Sequence, residues 1–293
     1  MAGLASGPGD SGMLLGVPGQ GSPDRRPDRG SGALRSTLIA FISTVVFFIV
    51  VGTLIVHAEG WPSVQRSFLD GRVFADSVPL IVTAFWVNVR LFVVAEVLIL
   101  GFGLLIAVLR SLPGPVLFPV RLLTTVYVDV FRALPGILVI YVIGFGIPGL
   151  GFTGTGNEFI YAVLALTLIY SAYVSEVYRA GIDSVHPSQD AAARSLGLSR
   201  LQSLRHVVLP QAVRRVVPPL LNDFIGLQKD TVLVSYIGVV EIFRQSQIRQ
   251  YGTFNFTPYV VTALVFLVFT IPLARLTDVL VARDRKRSAA AAR

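Results

Sequence analysis

One polar stretch lies between two long apolar blocks, and the rest of the chain is arranged around it. It reads Ser188, Gln189, Asp190, Ala191, Ala192, Ala193, Arg194, Ser195, Leu196, Gly197, Leu198 and Ser199. Ser188 is a candidate N-cap, the alanines favour a helix, and Gly197 is a natural left-handed stop. Ser199 followed by Gln202 is typical of a capping box that begins a second helix. The stretch therefore predicts a helix, a turn and another helix.

The composition on both sides of this stretch is that of a membrane protein. The 293 residues are 53% hydrophobic and 14% charged, whereas soluble domains carry about 25% charged residues. Cysteine is absent, which excludes disulfides and thiolate metal sites. The histidines His57, His186 and His206 lack ligand spacing, so we expect no metal site. A net charge of +8 could suit nucleic acid, but the charge flanks apolar segments and we expect no such partner.

Apolar segments long enough to cross a bilayer precede and follow the polar stretch. A helix needs about 20 apolar residues to span the hydrocarbon layer. We therefore predict an all-α, polytopic membrane protein with about six transmembrane helices. The predicted spans are residues 36–57, 81–109, 117–147, 158–180, 212–239 and 258–282.

The polar stretch resembles the cytoplasmic coupling loop of ABC importer permeases, whose pattern is E-A-A, three residues, G, nine residues, I-x-L-P. Ala192 and Ala193, Gly197 and the pair Leu209–Pro210 match this pattern. Ala191 stands at the glutamate position, with Asp190 one residue earlier. Further segments resemble permeases of the polar amino acid uptake family, and the resemblance covers roughly residues 79–282. These segments are Glu176–Ile182, Leu209–Ala212 and Lys229–Thr231.

The resemblance implies a type I ABC importer-like fold in which a cytoplasmic coupling helix docks on an ATPase. The residues that it assigns to this contact are Ser188, Gln189, Asp190, Ala191, Ala192, Ala193, Leu196, Gly197 and Leu198. No P-loop is present, so we expect no cofactor and no enzymatic activity in this chain, with ATP and Mg on the partner ATPase. The other implied partners are a second permease subunit, identical or homologous, an extracytoplasmic amino acid-binding protein and the lipid bilayer. The implied function is ATP-driven import of a polar amino acid, glutamate- or glutamine-like, across a bacterial cytoplasmic membrane.

The distribution of arginine and lysine predicts the orientation, because these residues are concentrated in cytoplasmic segments. They are abundant in both tails and in the polar stretch, whereas the opposite loops hold only Arg66, Arg72, Arg244 and Arg249. Both termini are therefore predicted to be cytoplasmic. The predicted division is a disordered tail at 1–35, an additional N-terminal transmembrane helix at 36–57, an extracytoplasmic loop at 58–80, a permease domain at 81–282 that includes the coupling loop at 186–210, and a basic cytoplasmic tail at 283–293.

The predicted fifth span holds polar and ionisable groups, which are costly inside a bilayer and tend to face a cavity or each other. The candidate substrate-path residues are Asn222, Asp223, Lys229, Asp230 and Thr231. Two interpretations stay open for Lys229 and Asp230, which either line the path or neutralise each other.

Other charged residues also lie within or at the ends of predicted spans, among them Glu96, Glu176 and Arg179. Glu176 and Arg179 have the i,i+3 spacing of a local ion pair. Glu96 lies deep in the second span, and the sequence identifies no partner for it.

Two other classes of protein are alternatives to the importer. An ion-coupled carrier or channel is one, but such carriers often show internal repeats and none is visible here. A membrane enzyme would need catalytic groups gathered at one membrane face, and the sequence contains no evident set.

Overall fold

The computed structural model describes residues 29–112, 114–151 and 157–291. Within these ranges every regular element is a helix, and no strand occurs. The α-helices are α1 (Arg29–Val56), α2 (Trp61–Phe68), α3 (Gly71–Arg110), α4 (Phe118–Ala133), α5 (Gly136–Gly149), α6 (Glu158–Asp183), α7 (Pro187–Ser195), α8 (Arg200–Ser203), α9 (Leu209–Asp230), α10 (Ile242–Thr253) and α11 (Thr257–Ala291). A π-helix (Leu204–Val208) precedes α9, and a 3₁₀-helix (Thr231–Ile237) follows it.

Several of these helices are long and apolar enough to cross a membrane, which confirms the all-α, polytopic fold class. Four stretches of the described chain qualify, and the bent pair α4 and α5 would make a fifth. The four stretches are Arg35–Val56, Trp61–Arg110, Glu158–Asp183 and Thr257–Arg283. The predicted span at 212–239 is not among them, because α9 carries polar and charged residues along its length.

The predicted third span, residues 117–147, is two helices. α4 and α5 meet at an angle of 110°. Pro135 causes the break, because it has no amide hydrogen and disfavours the helical conformation of the residue before it. Leu134 is accordingly extended, with ψ of 136°. The segment is therefore a broken span or a re-entrant loop.

Other helices begin or end outside the predicted boundaries. α1 begins at Arg29, inside the predicted disordered tail, whose first 28 residues lie outside the described ranges. The predicted extracytoplasmic loop at 58–80 contains α2 and the beginning of α3, where the Asp70 carboxylate accepts hydrogen bonds from the amides of Arg72 and Val73. α11 continues through the predicted basic tail as far as Ala291.

The chain divides into two compact units, Met1–Trp61 and Pro62–Arg293. In the first unit, α1 exposes large apolar side chains such as Phe41 and Phe48 along its length, as expected of a helix that faces lipid.

The core of the second unit forms around α6, which packs against α3, α4, α5 and α9. Leu91, Ile140, Leu166 and Leu227 are wholly or almost wholly buried there. A β-carbon at Gly103 would lie 2.8 Å from Val174 Cγ1, so glycine is required for the close approach of α3 and α6.

Candidate functional site

The polar helix α7 begins two residues earlier than the sequence indicated. His186, rather than Ser188, is its N-cap, and the Nδ1 atom of His186 accepts a hydrogen bond of 3.2 Å from the Ser188 amide. Pro187 occupies the first helical position, where a missing amide hydrogen has no cost. Ser188 therefore lies inside the helix, together with Gln189.

The end of α7 and the beginning of α8 confirm the prediction of a helix, a turn and a second helix. Gly197 is left-handed, with φ of +89°, and the Leu198 amide donates to the Ala193 carbonyl at 3.3 Å, as in a Schellman motif. The capping box is also present. The Ser199 amide donates to Gln202 Oε1 at 2.9 Å, and the Gln202 amide donates to Ser199 Oγ at 3.3 Å.

α7 has one face turned towards the protein and one turned away from it. Asp190 and Ala193 lie on the inner face, where Asp190 Oδ1 accepts a hydrogen bond of 2.5 Å from Ser203 Oγ. Ser203 has no exposed surface. The exposed residues of the stretch are Ser188, Gln189, Ala191, Ala192, Arg194, Ser195, Leu196, Gly197 and Ser199, while Leu198 is half-buried. This exposed face is the one available to another protein.

Asn222 and Asp223, predicted to line one path, point towards different neighbours. Asn222 lines a cleft of about 680 Å³ between α9 and α11, together with Thr277 and Asp278. Asp223 lies on the side of α9 that faces α3 and α6, where its carboxylate interacts electrostatically with that of Glu96. Within the described chain, the buried Asp223 Oδ2 atom has no hydrogen-bond partner. The sequence identified no partner for Glu96, and the charged group beside it in the structure is the carboxylate of Asp223, which has the same sign.

Lys229 and Asp230 lie at the end of α9 that joins the 3₁₀-helix. Asp230 Oδ2 accepts a hydrogen bond of 2.7 Å from the Tyr170 hydroxyl of α6, whereas Lys229 is exposed. Tyr170 also lies close to Gly226, whose missing side chain makes room for the tyrosine ring. Asp230 is therefore held by a neighbouring helix.

Thr231 belongs to a buried polar network that sequence reasoning missed. Asn88 Nδ2 of α3 donates to Thr231 Oγ1 and to Glu241 Oε2, both at 3.0 Å, and all three residues are buried. Glu241 also caps α10 by accepting from the amides of Phe243 and Arg244 at 3.0 and 2.8 Å. Burial raises the pKa of Glu241, and its three hydrogen bonds oppose that shift. A glutamate just before a helix was the available signal, since acidic side chains suit helix N-termini.

Glu176 forms an ion pair between two helices in addition to its local pair with Arg179. Its carboxylate pairs with Arg110 at the end of α3, and Arg179 lies farther away, at 3.7 Å. This pairing joins α3 to α6 at the end of the bundle from which α7 follows.

The described chain thus combines helices long and apolar enough to cross a membrane with an exposed helix–turn–helix between α6 and α9. Residues 99–286 match the sequence model of a family described as binding-protein-dependent transport system inner membrane component. The chain belongs to this family. It is thus a multi-pass membrane permease subunit of an ABC importer and not a catalytic enzyme.

Similar proteins support the same assignment. The glutamate transport system permease protein GluC of Corynebacterium glutamicum is 34% identical over 213 residues, 69% of this chain and 92% of that protein. The probable glutamine ABC transporter permease protein GlnM of Bacillus subtilis is 36% identical over 59% of this chain and 78% of its own length. The crystal structure of an amino acid ABC transporter with histidines contains a chain with 31% identity and a TM-score of 0.66, covering 73% of this chain and 98% of that one.

Proposed function

We propose that this permease imports a polar amino acid, glutamate- or glutamine-like, with energy from ATP hydrolysed on a separate ATPase subunit. The observation that carries the proposal is the exposed face of α7, held by the Asp190–Ser203 hydrogen bond and ended by Gly197. A short, well-capped helix that projects from the bundle suits the transmission of a rigid displacement from a docked protein. ATP and Mg belong to the ATPase, because the sequence of this chain has no P-loop.

The proposed assembly holds a second permease subunit, identical or homologous, and an extracytoplasmic amino acid-binding protein. Four or five candidate spans in the described chain are few for enclosing a path, which supports a second permease. The proposed orientation places both termini and α7 in the cytoplasm of a bacterial cell. It is supported by the arginine-rich tails and polar stretch.

We place the substrate path along the side of α9 that faces α3 and α6. Asp223 is half-buried there beside Glu96, and an unpaired charge at the centre of a span is costly unless it faces a polar cavity. An amino acid in transit carries an ammonium group, which would offset the repulsion between these two carboxylates. Asn222, Lys229, Asp230 and Thr231 are the other proposed path residues. Asn222 contributes from the cleft towards α11, and Thr231 holds the outer part of the path in place through Asn88.

Reconstitution tests this function. The permease, its ATPase and its binding protein are placed in liposomes, and the entry of labelled glutamate, glutamine and arginine is measured with and without ATP. We expect ATP-dependent entry of at least one polar amino acid. Entry that follows an ion gradient and ignores ATP would instead identify an ion-coupled carrier.

A further inference from the structure

The exposed face of α7 identifies the kind of surface that receives it. We propose that the groove of the ATPase that receives α7 is apolar at its centre and acidic at its rim. Such a groove contains no basic residue that pairs with a carboxylate of this chain. This inference rests on the proposed function, because it takes the ATPase as the partner of α7. The argument has three parts, which concern Asp190, Leu196 and Arg194.

Asp190, the acidic residue of α7, is turned away from the exposed face. Its carboxylate accepts the 2.5 Å hydrogen bond from Ser203, a residue with no exposed surface. It also lines a cleft between α7 and the π-helix, together with His186 and Leu204. A carboxylate occupied in this way contributes to the position of α7 and is not presented to a docked protein.

The position that carries glutamate in the resembling permeases is apolar here. Ala191 is exposed, as is Ala192 beside it. These two small side chains leave a flat surface that another protein can approach closely. Position 191 therefore presents no carboxylate to a docked protein.

Leu196 provides the apolar anchor of the exposed face. It ends α7 as the C-cap residue, and 83% of its surface is exposed. The left-handed Gly197 that follows turns the chain away, so that the leucine projects beyond the end of the helix. An exposed leucine beside flat alanines fits a shallow apolar pocket, since buried apolar anchors dominate the energy of protein interfaces.

Arg194 sets the charge of the exposed face. It lies in the last turn of α7, is exposed, and is followed along the chain by the exposed arginines Arg205 of the π-helix and Arg214 of α9. The acidic residues of this part of the chain are Asp183 and the internally bonded Asp190. A surface of this sign attracts a complementary acidic surface and repels a basic one.

The most direct test introduces glutamate at position 191, where the resembling permeases carry it. The permease is placed in nanodiscs of zwitterionic phosphatidylcholine, which removes anionic lipid as a competing partner, and the affinity of its ATPase is measured at low and high salt. On this proposal Ala191→Glu weakens binding by about 1.4-fold to fivefold at low salt, since an exposed charge contact contributes about 0.2–1 kcal/mol. A groove with a cation opposite position 191 would bind Ala191→Glu more tightly, and that result would overturn the proposal.

Two further variants separate the parts of the surface. Arg194→Gln, which keeps a good helix former, should weaken binding and reduce its dependence on salt. Arg283→Gln, at the end of the apolar stretch of α11, is the matched control and should change neither. Leu196→Ser should weaken binding about tenfold at both salt concentrations. Unchanged affinity in both Arg194→Gln and Leu196→Ser would overturn the proposal.

If these variants alter binding of the permease to phosphatidylglycerol vesicles and leave ATPase affinity unchanged, the basic face is a lipid contact and the proposal is also overturned. Failure of the unmodified permease to bind the ATPase would contradict the proposed function itself.

Discussion

The hydroxyl of Ser203 donates a 2.5 Å hydrogen bond to the carboxylate of Asp190 from a position with no exposed surface. The two residues are separated by the turn that contains Gly197, so the bond fixes α7 against α8. A hydrogen bond to a charged acceptor contributes about 1.5–3 kcal/mol. α7 is therefore a rigid projection whose orientation depends on one polar contact as well as on its caps.

We predict that loss of this contact loosens α7 without unfolding the bundle. Ser203→Ala leaves the half-buried Asp190 carboxylate without its donor, and Asp190→Asn weakens the bond by removing the charge. Amide hydrogen exchange of α7 should become faster by about tenfold in Ser203→Ala, while exchange in α6 stays unchanged. The double variant should be no worse than the poorer single variant, because the residues act as a pair. Additive effects would show that they act separately.

Gly197→Val should weaken ATPase docking and uptake while the protein still reaches the membrane. A β-branched residue at φ of +89° is strained by about 1 kcal/mol or more. No atom lies within 4 Å of the position where a β-carbon would stand, so the effect comes from the backbone and not from a clash. Gly197→Asn is the control, because asparagine tolerates the left-handed conformation. Normal substrate-stimulated ATP hydrolysis in Gly197→Val would argue against a docking role for α7.

Asp223→Asn should lower uptake and leave assembly intact. The substitution keeps the shape of the side chain and removes one of two neighbouring carboxylates. Entry of labelled amino acid per ATP hydrolysed is the measurement, with Asn222→Ala as a comparison on the α11 side of the helix. If Asp223→Asn transports every amino acid tested at the unmodified rate, Asp223 is a structural residue.

Asn88→Asp should destabilise the protein in a pH-dependent manner. The substitution replaces the amide that donates to Glu241 by a second carboxyl group in a buried network. Burial already raises the pKa of Glu241, so the folded protein binds protons more readily than the unfolded chain. Stability should therefore fall as pH rises above the ordinary range of a glutamate. Thermal midpoints between pH 4.5 and 8 are the measurement. Asn88→Leu also removes a hydrogen bond that opposes the raised pKa of Glu241 but adds no second carboxyl group, so its pH dependence should be smaller than that of Asn88→Asp.

Thiol labelling in intact cells tests the predicted orientation. Because the natural chain has no cysteine, single substitutions give clean signals. Leu196→Cys on α7 and Gly252→Cys on α10 are both at exposed positions. A membrane-impermeant reagent should reach Gly252→Cys and not Leu196→Cys, and the reverse pattern would contradict cytoplasmic placement of α7. Ser203 is unsuitable for this purpose because it is wholly buried.

The sequence predicted features whose causes are local. The left-handed stop at Gly197 and the capping box of Ser199 and Gln202 depend on neighbours within five residues, and both are confirmed. The break at Pro135 had an equally local signal, but residues 117–147 are long and apolar enough overall to have been predicted as one span. A hydropathy pattern indicates which residues are buried or in contact with lipid. It does not indicate the direction of the helix axis, so it cannot show a 110° bend.

The missed features depend on distant residues. The contacts of Asp190 with Ser203, of Asn88 with Glu241 and of Glu176 with Arg110 join different helices. Their partners are set by how the helices pack, which no spacing within one segment reveals.

Gly181 of α6 packs so closely against Val216 of α9 that a β-carbon would overlap the valine. α7 connects α6 to the segment that leads into α9. A displacement of α7 would therefore act on both helices close to the point where Gly181 and Val216 are in tight contact. α9 has 22 residues and is about 33 Å long. If α9 rotates by about 5° about Val216, its other end, near Asp230 and the 3₁₀-helix, moves by about 2 Å, because 14 residues of helix, about 21 Å, lie between these two residues. The contact at Gly181 thus divides α9 into a short arm of seven residues and a long arm of 14 residues, so a rotation about it would move the Asp230 end about twice as far as the Leu209 end.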